Sequence, residues 1–236
     1  MKSSENKKRK CHVILLAGGI GSRMKSEMPK QYLEVNGMPL FMYSFQKFSC
    51  LEPIDTIVFV IEDKWKAFVE KWIINTNSKK VLYAPAGNSR QQSVLNGLQS
   101  LREVSSENDV IFVHDSVRPL FHSEIIHESL IALDDVDAVL PVISVKDATY
   151  QSSDGVMLSS VLPRDQLFFG QSPEAFVYGK ILSAHSLFTK DQIDSMHGSS
   201  ELAFRAGMHI KFLAGSEDNI KITTQEDLYF IKEKLK

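Results

Sequence analysis

A glycine-rich segment followed by basic residues is the part of this sequence best suited to chemistry. Leu16-Ala-Gly-Gly-Ile-Gly-Ser-Arg-Met24 follows an apolar run, and Pro29-Lys30-Gln31-Tyr32-Leu33 comes shortly after it. Because glycine has no Cβ, the main-chain N–H groups of such a turn can approach a phosphate chain closely. Arg23 and Lys30 place two cations beside the turn, as a triphosphate requires. The segment therefore predicts a nucleotide-binding site.

Two common phosphate-binding loops do not match this segment. It lacks the Gly-Lys-Ser/Thr of a P-loop. No clear ribose-binding acid ends the next strand, as the dinucleotide-binding fingerprint would require. The predicted phosphate site is of a different kind.

Polar residues also lie at the start of a predicted helix. Gly87-Asn-Ser-Arg90 is followed by Ser93, so a small loop and an arginine precede the apolar positions of that helix. Free N–H groups at a helix start suit a polar or anionic ligand. The alternative is that Ser89 only caps the helix.

Charged residues occur at two further places where a ligand could bind. His114-Asp-Ser-Val-Arg-Pro119 ends an apolar strand, and Asp115 there could hold Mg²⁺ against phosphate oxygens. The alternative is a turn acid paired with its neighbouring arginine, and we interpret His114 as a packing residue. Lys221, beside a later helix start, is either a third cation facing phosphate or a solvated side chain.

The elements that must position these residues are short apolar strands alternating with amphipathic helices. This alternation predicts an α/β, Rossmann-like fold with a mainly parallel twisted sheet and helices on both faces. Ligands then bind at the carboxyl ends of the strands, where the glycine segment lies. The predicted strands are Val13–Leu16, Thr56–Ile61, Lys80–Tyr83, Val110–Val113, Ala138–Pro141 and Ile210–Ala214. The predicted helices are Trp65–Ile73, Arg90–Leu101, Ser123–Leu133 and Thr224–Lys234, and in the second of them the spacing places Val94, Leu98 and Leu101 inward.

Residues 145–172 interrupt the alternation. Ser152-Ser-Asp-Gly155 and Pro163-Arg-Asp165 are turn signals, and the apolar residues between them lack helical spacing. The segment is also too long for an ordinary connection. We predict a β-hairpin arm that packs against another subunit, since an isolated hairpin is marginal in water. The remainder of residues 1–236 forms one domain.

The composition is that of an ordinary globular protein. Of the 236 residues 43% are hydrophobic and 24% are charged, and the net charge is -2. Locally placed cations must therefore hold any anionic ligand, and neither nucleic acid nor a membrane is expected as a partner. Cys11 and Cys50 are too few for a disulfide framework or a zinc site, which favours a cytoplasmic location.

Taken together, the motifs resemble the cytidylyltransferase family that makes CDP-polyols. Its best-known members act on 2-C-methyl-D-erythritol 4-phosphate in isoprenoid synthesis, and close relatives act on ribitol 5-phosphate. The resemblance covers nearly the whole chain in order. It rests on the glycine segment with Arg23, Pro29-Lys30-Gln31, Gly87–Arg90 with Ser93, Asp115-Ser-Val-Arg-Pro119, Gln171-Ser-Pro173 and Asn219-Ile-Lys221-Ile-Thr223.

The resemblance implies a role for each matching residue. The CTP-binding residues would be Ala17, Gly18, Gly19 and Gly21 at the phosphates, Gly87, Asn88 and Ser93 at the cytosine, and Asp115 and Ser116. The catalytic cations would be Arg23, Lys30 and Lys221, with Mg²⁺ supported by Asp115. The polyol phosphate would contact Arg118, Arg164 and Ser172. In this family the arm forms a homodimer, and its arginine reaches the partner's site.

Two departures from the family pattern lie on the acceptor side. Ala148 stands where the family usually has threonine, and His197-Gly-Ser-Ser200 replaces a Thr-Asp-acid-Ala stretch. Asp115-Ser-Val-Arg-Pro119 and Gly170-Gln-Ser-Pro173 look more like the ribitol-phosphate branch. Two alternatives stay open: transfer from another NTP to a sugar 1-phosphate, and a nucleotide-binding relative without activity.

Overall fold

The structure is a computed structural model that describes residues 9–19, 28–74, 76 and 79–235. The strands in these residues are β1 (Cys11–Leu16), β2 (Glu34–Val35), β3 (Met38–Pro39), β4 (Ile54–Ile61), β5 (Lys80–Pro85), β6 (Val110–Asp115), β7 (Ala138–Ser144), β8 (Thr149–Gln151), β9 (Ser160–Leu162), β10 (Phe168–Gly170), β11 (Glu174–Val177) and β12 (Ile210–Ala214). The helices are α1 (Leu40–Cys50), α2 (Lys66–Ile73), α3 (Arg90–Ser100), α4 (Glu124–Ala132), α5 (Tyr178–His185), α6 (Lys190–Ser195), α7 (Ser199–Arg205) and α8 (Gln225–Lys234). Within these ranges no helix has the length and apolar composition needed to cross a bilayer.

The main sheet has the strand order β10-β7-β11-β6-β1-β4-β5, and β12 pairs with β7. Strands β6, β1, β4 and β5 are parallel neighbours, as is the β12–β7 pair. Strand β11 is antiparallel to both β6 and β7, and β10 is antiparallel to β7. The predicted Rossmann-like α/β fold is confirmed, with a mixed rather than parallel region at one side.

The central strands are continuous apolar runs because both faces of the sheet are covered by helices. One core lies between the sheet and α1, α2 and α4, and Phe41, Phe45 and Phe59 are fully buried in it. The other core lies under α3, α5, α6 and α7. In α3, Val94 and Leu98 point inward as the spacing predicted.

Several elements were not predicted from the sequence. Helix α1 has the sequence LFMYSFQKFSC, whose apolar residues cover most of its surface and form no narrow stripe. Helices α5, α6 and α7 are six to eight residues long, which is too short for a clear period. Strand β11 has only four residues and is buried throughout, so it shows no alternation.

The predicted hairpin arm is present. Strands β8 and β9 pair antiparallel in a two-stranded sheet of their own, and β10 then returns the chain to β7. The hairpin has exposed apolar side chains, with Tyr150 62%, Val156 83% and Val161 63% exposed. Its role in dimerisation stays a prediction.

Candidate active site

A cavity of about 650 Å³ opens at the carboxyl ends of β1 and β6, beside the start of α3. This is the edge of the sheet where the sequence placed the ligand. The residues predicted for the site that line it are Gly18, Gly19, Lys30, Gly87, Asn88, Ser93, Asp115, Ser116 and Lys221. Gly21 and Arg23 fall outside the described residues.

The glycine segment leaves β1 in close contact with the loop after β5. A Cβ on Gly18 would lie 2.3 Å from the Cβ of Ala86, so only glycine allows the two loops to approach this closely. The Ala17 N–H donates to Val60 O at 2.9 Å, which joins the segment to β4. Main-chain contacts therefore fix the glycine segment against β4 and the loop after β5 at this wall of the cavity.

The carbonyl groups of this segment are bound by side chains from the Pro-Lys-Gln motif. Gln31 Nε2 donates to Ala17 O at 2.6 Å and to Gly19 O at 2.8 Å. The Tyr32 hydroxyl donates to Ala17 O at 2.8 Å, and both side chains are buried. The Ala17 and Gly19 carbonyl oxygens are therefore already paired with donors, so their partial negative charge is reduced beside a cavity that is predicted to bind phosphates. The Pro29-Lys30-Gln31 motif was recognised in the sequence, but Gln31 was not among the predicted site residues.

The loop before α3 is fixed by Ser89 at its end and by Ser93 in the first turn of the helix. Ser89 caps the helix by accepting from Gln92 N at 3.1 Å, and it donates to Asp194 Oδ1 at 2.5 Å. Ser93 Oγ accepts from Gly87 N at 2.9 Å and donates to Ser89 O at 3.0 Å. Because a hydroxyl has one hydrogen and two lone pairs, Ser93 retains only the capacity to accept from a ligand.

Among the described residues, three cations surround the carboxylate of Asp115. Lys221 Nζ lies 3.0 Å and Arg118 Nε 3.6 Å from Oδ2, while Arg90 Nε lies 3.4 Å from Oδ1. Burial alone would raise the pKa of the Asp115 carboxyl, but the charges of Arg90, Lys221 and Arg118 hold that pKa well below its usual range. Asp115 therefore stays ionised and gathers positive charge at one wall of the cavity.

Arg90 joins this cluster to the first turn of α7. Its Nη2 donates to Glu174 Oε1 at 2.7 Å, and its Nη1 donates to Ser199 Oγ at 3.0 Å. Glu174 also accepts from the main-chain N–H and the hydroxyl of Ser200. Burial lowers the pKa of Arg90, but the charges of Glu174 and Asp115 raise it above its ordinary value. Sequence reasoning missed Glu174, since no local motif shows that it meets an arginine 84 residues away.

Lys30 lines the same cavity, although it is far from Lys221 in the sequence. Its Nζ donates to Ile222 O at 2.6 Å, and Ile222 follows Lys221 directly. The Ile222 N–H in turn donates to Val117 O at 3.0 Å. The two predicted cations Lys30 and Lys221 are therefore brought to one place.

The strand end at His114 has a hydrogen-bond chain with a fixed direction. His114 Nε2 lies 3.1 Å from Arg118 O, which can only accept, so Nε2 carries the proton. His114 Nδ1 then accepts from Ser172 Oγ at 3.1 Å, and Ser172 Oγ accepts from Asp115 N at 3.1 Å. Burial lowers the pKa of His114 to about 3, in keeping with the neutral ring. His114 also packs edge-on against the stacked rings of Phe48 and Phe121, as the packing interpretation expected.

The three residues predicted for the acceptor do not line the cavity. Ser172 is 2% exposed and its hydroxyl hydrogen is donated to His114. Arg118 Nη1 donates to Asn219 O at 2.6 Å within the wall behind Asp115. Arg164 is exposed on the arm and donates to Lys146 O at 3.1 Å. Their predicted contacts with a polyol phosphate stay predictions.

The fit of a magnesium ion can be tested on the donors at the site. Among the described residues no three His, Cys, Asp or Glu side chains converge as a ligand set. Mg²⁺ is often held by one or two carboxylates together with substrate phosphates and water. Asp115 is ionised and lies on the cavity wall, but Lys221, Arg118 and Arg90 already lie within 3.6 Å of its oxygens. Asp115 therefore fits an ion only as a single supporting carboxylate, with the other ligands coming from a triphosphate and water.

Comparisons with known proteins agree with this geometry. The family pattern described as IspD, 2-C-methyl-D-erythritol 4-phosphate cytidylyltransferase, matches residues 11–235. The chain belongs to the IspD family. It is therefore a CTP-dependent nucleotidyltransferase, a cytidylyltransferase of the kind that acts on polyol phosphates. The resemblance given by the sequence motifs is confirmed.

Relatives in the IspD family carry two kinds of name. A ribitol-5-phosphate cytidylyltransferase from Streptococcus agalactiae serotype III (strain NEM316) is 29% identical over 221 residues, which cover 93% of this chain and 92% of the relative. A 2-C-methyl-D-erythritol 4-phosphate cytidylyltransferase from Clostridium botulinum (strain Langeland) is 35% identical over 220 residues, which cover 92% and 93%. The 4-diphosphocytidyl-2C-methyl-D-erythritol synthase of Anaerococcus prevotii DSM 20548 has the same fold, with a TM-score of 0.81, 26% identity and 96% of each chain covered.

Proposed function

We propose that this protein transfers CMP from CTP to a polyol phosphate, with ribitol 5-phosphate as its preferred acceptor, and releases pyrophosphate. The observation that carries the proposal is the convergence of Lys30 and Lys221 on one cavity beside Gly18 and Gly19. A triphosphate needs cations and main-chain N–H groups at the same place.

Selection of cytosine would rest on the loop before α3 and on Ser93 in the first turn of that helix. Ser93 Oγ can accept one further hydrogen bond but has no hydrogen to donate. The exocyclic amino group of cytosine donates at the position where uracil has a carbonyl oxygen. The amino group of cytosine would therefore donate to Ser93 Oγ. If UTP were bound instead, the uracil carbonyl oxygen and Ser93 Oγ would face each other as two acceptors.

The reaction depends on stabilising the negative charge of the phosphates more than on proton transfer. An oxygen of the acceptor phosphate attacks the α-phosphorus of CTP, and the bond from that phosphorus to the pyrophosphate oxygen breaks. A phosphate monoester is already ionised near neutral pH, so no strong general base is required. Lys30 and Lys221 would reduce the repulsion between the two anions and stabilise charge on the transferring group.

Asp115 has two functions in this proposal. It holds Lys221 at 3.0 Å, and it is the carboxylate that would hold Mg²⁺ beside the triphosphate. The chemistry supplied by Mg²⁺ there would be neutralisation of phosphate charge. The Asp115 side chain itself stays ionised and orients the lysine.

The acceptor assignment rests on sequence features. The stretch around Asp115 and the Gln171-Ser-Pro173 motif resemble the ribitol-phosphate branch, and relatives with that name cover 93% of this chain. The second candidate acceptor is 2-C-methyl-D-erythritol 4-phosphate, which relatives of 32% and 35% identity favour by their names.

A homodimer formed through the arm is part of the proposal. The hairpin exposes Tyr150, Val156 and Val161, and a second copy of the chain would cover them. Arg164 lies outside the cavity of its own subunit, as a residue that serves the partner's site would.

One assay series tests the proposal. Pyrophosphate release should be fastest with CTP among the four common NTPs, and ribitol 5-phosphate should give a higher kcat/KM than methylerythritol, arabinitol or glycerol phosphates. Preference for methylerythritol 4-phosphate would support the second candidate. CTP binding by calorimetry without pyrophosphate release from any of these acceptors would overturn transfer to these polyol phosphates.

A further inference from the structure

The side chain of Gln171 joins the end of the arm to the loop after β12. Gln171 follows β10 directly and is 6% exposed. Its Nε2 donates to Ser216 O at 2.8 Å, and its Oε1 accepts from Ser216 N at 3.1 Å. One amide therefore binds both main-chain groups of a residue 45 positions later in the chain.

Further contacts extend this connection to Asn219. Asn219 Nδ2 donates to Ser172 O at 2.8 Å, and Arg118 Nη1 donates to Asn219 O at 2.6 Å. A Cβ on Gly215 would lie 2.4 Å from Gln171 Oε1, so the loop packs directly against the amide. We call this set of contacts the Gln171 clamp.

The clamped loop leads within two residues to Lys221. Lys221 Nζ lies 3.0 Å from Asp115 Oδ2, while the Ile222 main chain is bound by Val117 O and by Lys30. An ammonium on a flexible four-carbon stem is directed by where its main chain is held. The clamp fixes that main chain on the side nearest the arm.

We propose that Gln171 is a positioning residue that holds Lys221 over Asp115 for the transfer step. This inference rests on the proposed function. Gln171 touches no reacting group, so its effect on turnover passes through Lys221. A purely structural glutamine would instead affect activity whether or not Lys221 is present.

The test is a double-mutant cycle with Gln171→Met and Lys221→Ala. Methionine keeps the length of the side chain and removes the hydrogen bonds of the amide to Ser216 and Asn219. We expect Gln171→Met to lower kcat by about ten- to a hundredfold, a cost typical of misplacing a catalytic group, with a smaller change in the Kd for CTP. In the Lys221→Ala background the same substitution should lower kcat no further. An equal loss in both backgrounds would overturn the proposal.

Two further variants protect the test against a folding defect. Gly215→Ala disturbs the clamp from the other side and should show the same dependence on Lys221. Gln91→Met is the matched control, because Gln91 is fully buried and neither of its amide atoms has a hydrogen-bond partner in the described part of the chain. Its kcat should stay within about twofold of the unmodified protein, as for substitutions away from functional contacts.

A second readout needs no turnover. The rate at which an N-hydroxysuccinimide ester acylates Lys221, followed by mass spectrometry, should rise in Gln171→Met because the ammonium is no longer held against Asp115. Equal rates in both proteins would refute the positioning role. If the unmodified protein shows no transfer at all, the proposed function fails and this measurement still decides the role of Gln171.

Discussion

Lys30 binds the main chain of Ile222 across 192 residues of sequence, so its ammonium is held at the cavity rather than free in solvent. We predict that Lys30→Ala lowers kcat by about 10²–10³, because an electrostatic contact to the transferring group is worth this much. Steady-state kinetics with CTP and the preferred acceptor measure the effect.

Lys47→Ala is a suitable control for this substitution. Lys47 also donates to a main-chain oxygen, Phe121 O at 2.9 Å, but it does not line the cavity. We expect its kcat to be close to that of the unmodified protein. Near-normal turnover of Lys30→Ala would remove Lys30 from the mechanism.

Buried neutral histidines should make stability depend on pH. Burial lowers the pKa values of His12 and His185, and it lowers the pKa of His114 to about 3. The unfolded chain binds more protons than the folded chain between about pH 3 and 6.5, so the stabilising effect is complete above about pH 6.5 and is lost as pH falls through this window.

The measurement is urea unfolding at several pH values between about 5 and 7. His114→Gln should reduce the slope of unfolding free energy against pH by about 1.4 kcal/mol per pH unit near pH 5, the effect of one proton, and progressively less towards pH 7. His127→Gln, at an exposed position on α4, is the matched control. An unchanged slope in His114→Gln would contradict the neutral assignment.

At the level of single residues, the sequence identified the groups that carry a local motif. Lys30, Asp115 and Lys221 follow recognisable turns or strand ends, and the described structure brings them together at one cavity. The Arg90–Glu174 pair was not predictable, because each side chain has several possible partners until the fold brings the two together.

The glycine segment depends on the turn that follows it. Gln31 donates to the carbonyl groups of Ala17 and Gly19. In Gln31→Met the Ala17 carbonyl keeps the Tyr32 hydroxyl, but Gly19 O loses its Gln31 donor. We predict that this raises the Kd for CTP by about tenfold, since an unpaired carbonyl beside phosphates costs about 1–3 kcal/mol. Calorimetric titration with CTP measures this change. Gln46→Met, at an exposed position on α1, is the control, and equal affinity in both variants would show that Gln31 does not support the site.

At the level of elements, prediction succeeded for helices with one buried face and for the long apolar strands of the central sheet, and it failed for short elements and for a helix that is apolar around most of its surface. The spacing in α3 predicted its inward residues correctly. Helix α1 is apolar around most of its surface, and β11 is buried over all four residues, so neither has a period to detect. The antiparallel part of the sheet is formed by β11 and β10, which have four and three residues. These strands are too short to show a period, so the mixed strand directions were not predicted.

At the level of the whole molecule, the arm predicts that two subunits complete each site. Arg164→Ala should raise the KM for the polyol phosphate strongly and leave the Kd for CTP almost unchanged, because the arginine would contact only the acceptor, from the partner subunit. Steady-state kinetics and calorimetry separate the two effects.

A subunit-mixing experiment tests directly whether Arg164 acts in the site of the partner subunit. Arg164→Ala mixed with Lys30→Ala should regain activity, since one site of the mixed dimer would contain both intact residues. No recovery, under conditions where subunit exchange is demonstrated, would show that Arg164 does not act across an interface.

The position of β11 has a consequence for the order of folding. Strand β11 lies between β6 and β7, although it follows both in the chain. Strands β6 and β7 therefore cannot join the same sheet until the chain has passed through the arm and returned. The parallel strands β1, β4, β5 and β6 can assemble without it, whereas β7, β10 and β12 attach to them through a seam of four residues. Because long-range pairing is slow, the half of the molecule that contains the arm is expected to consolidate last and to open first.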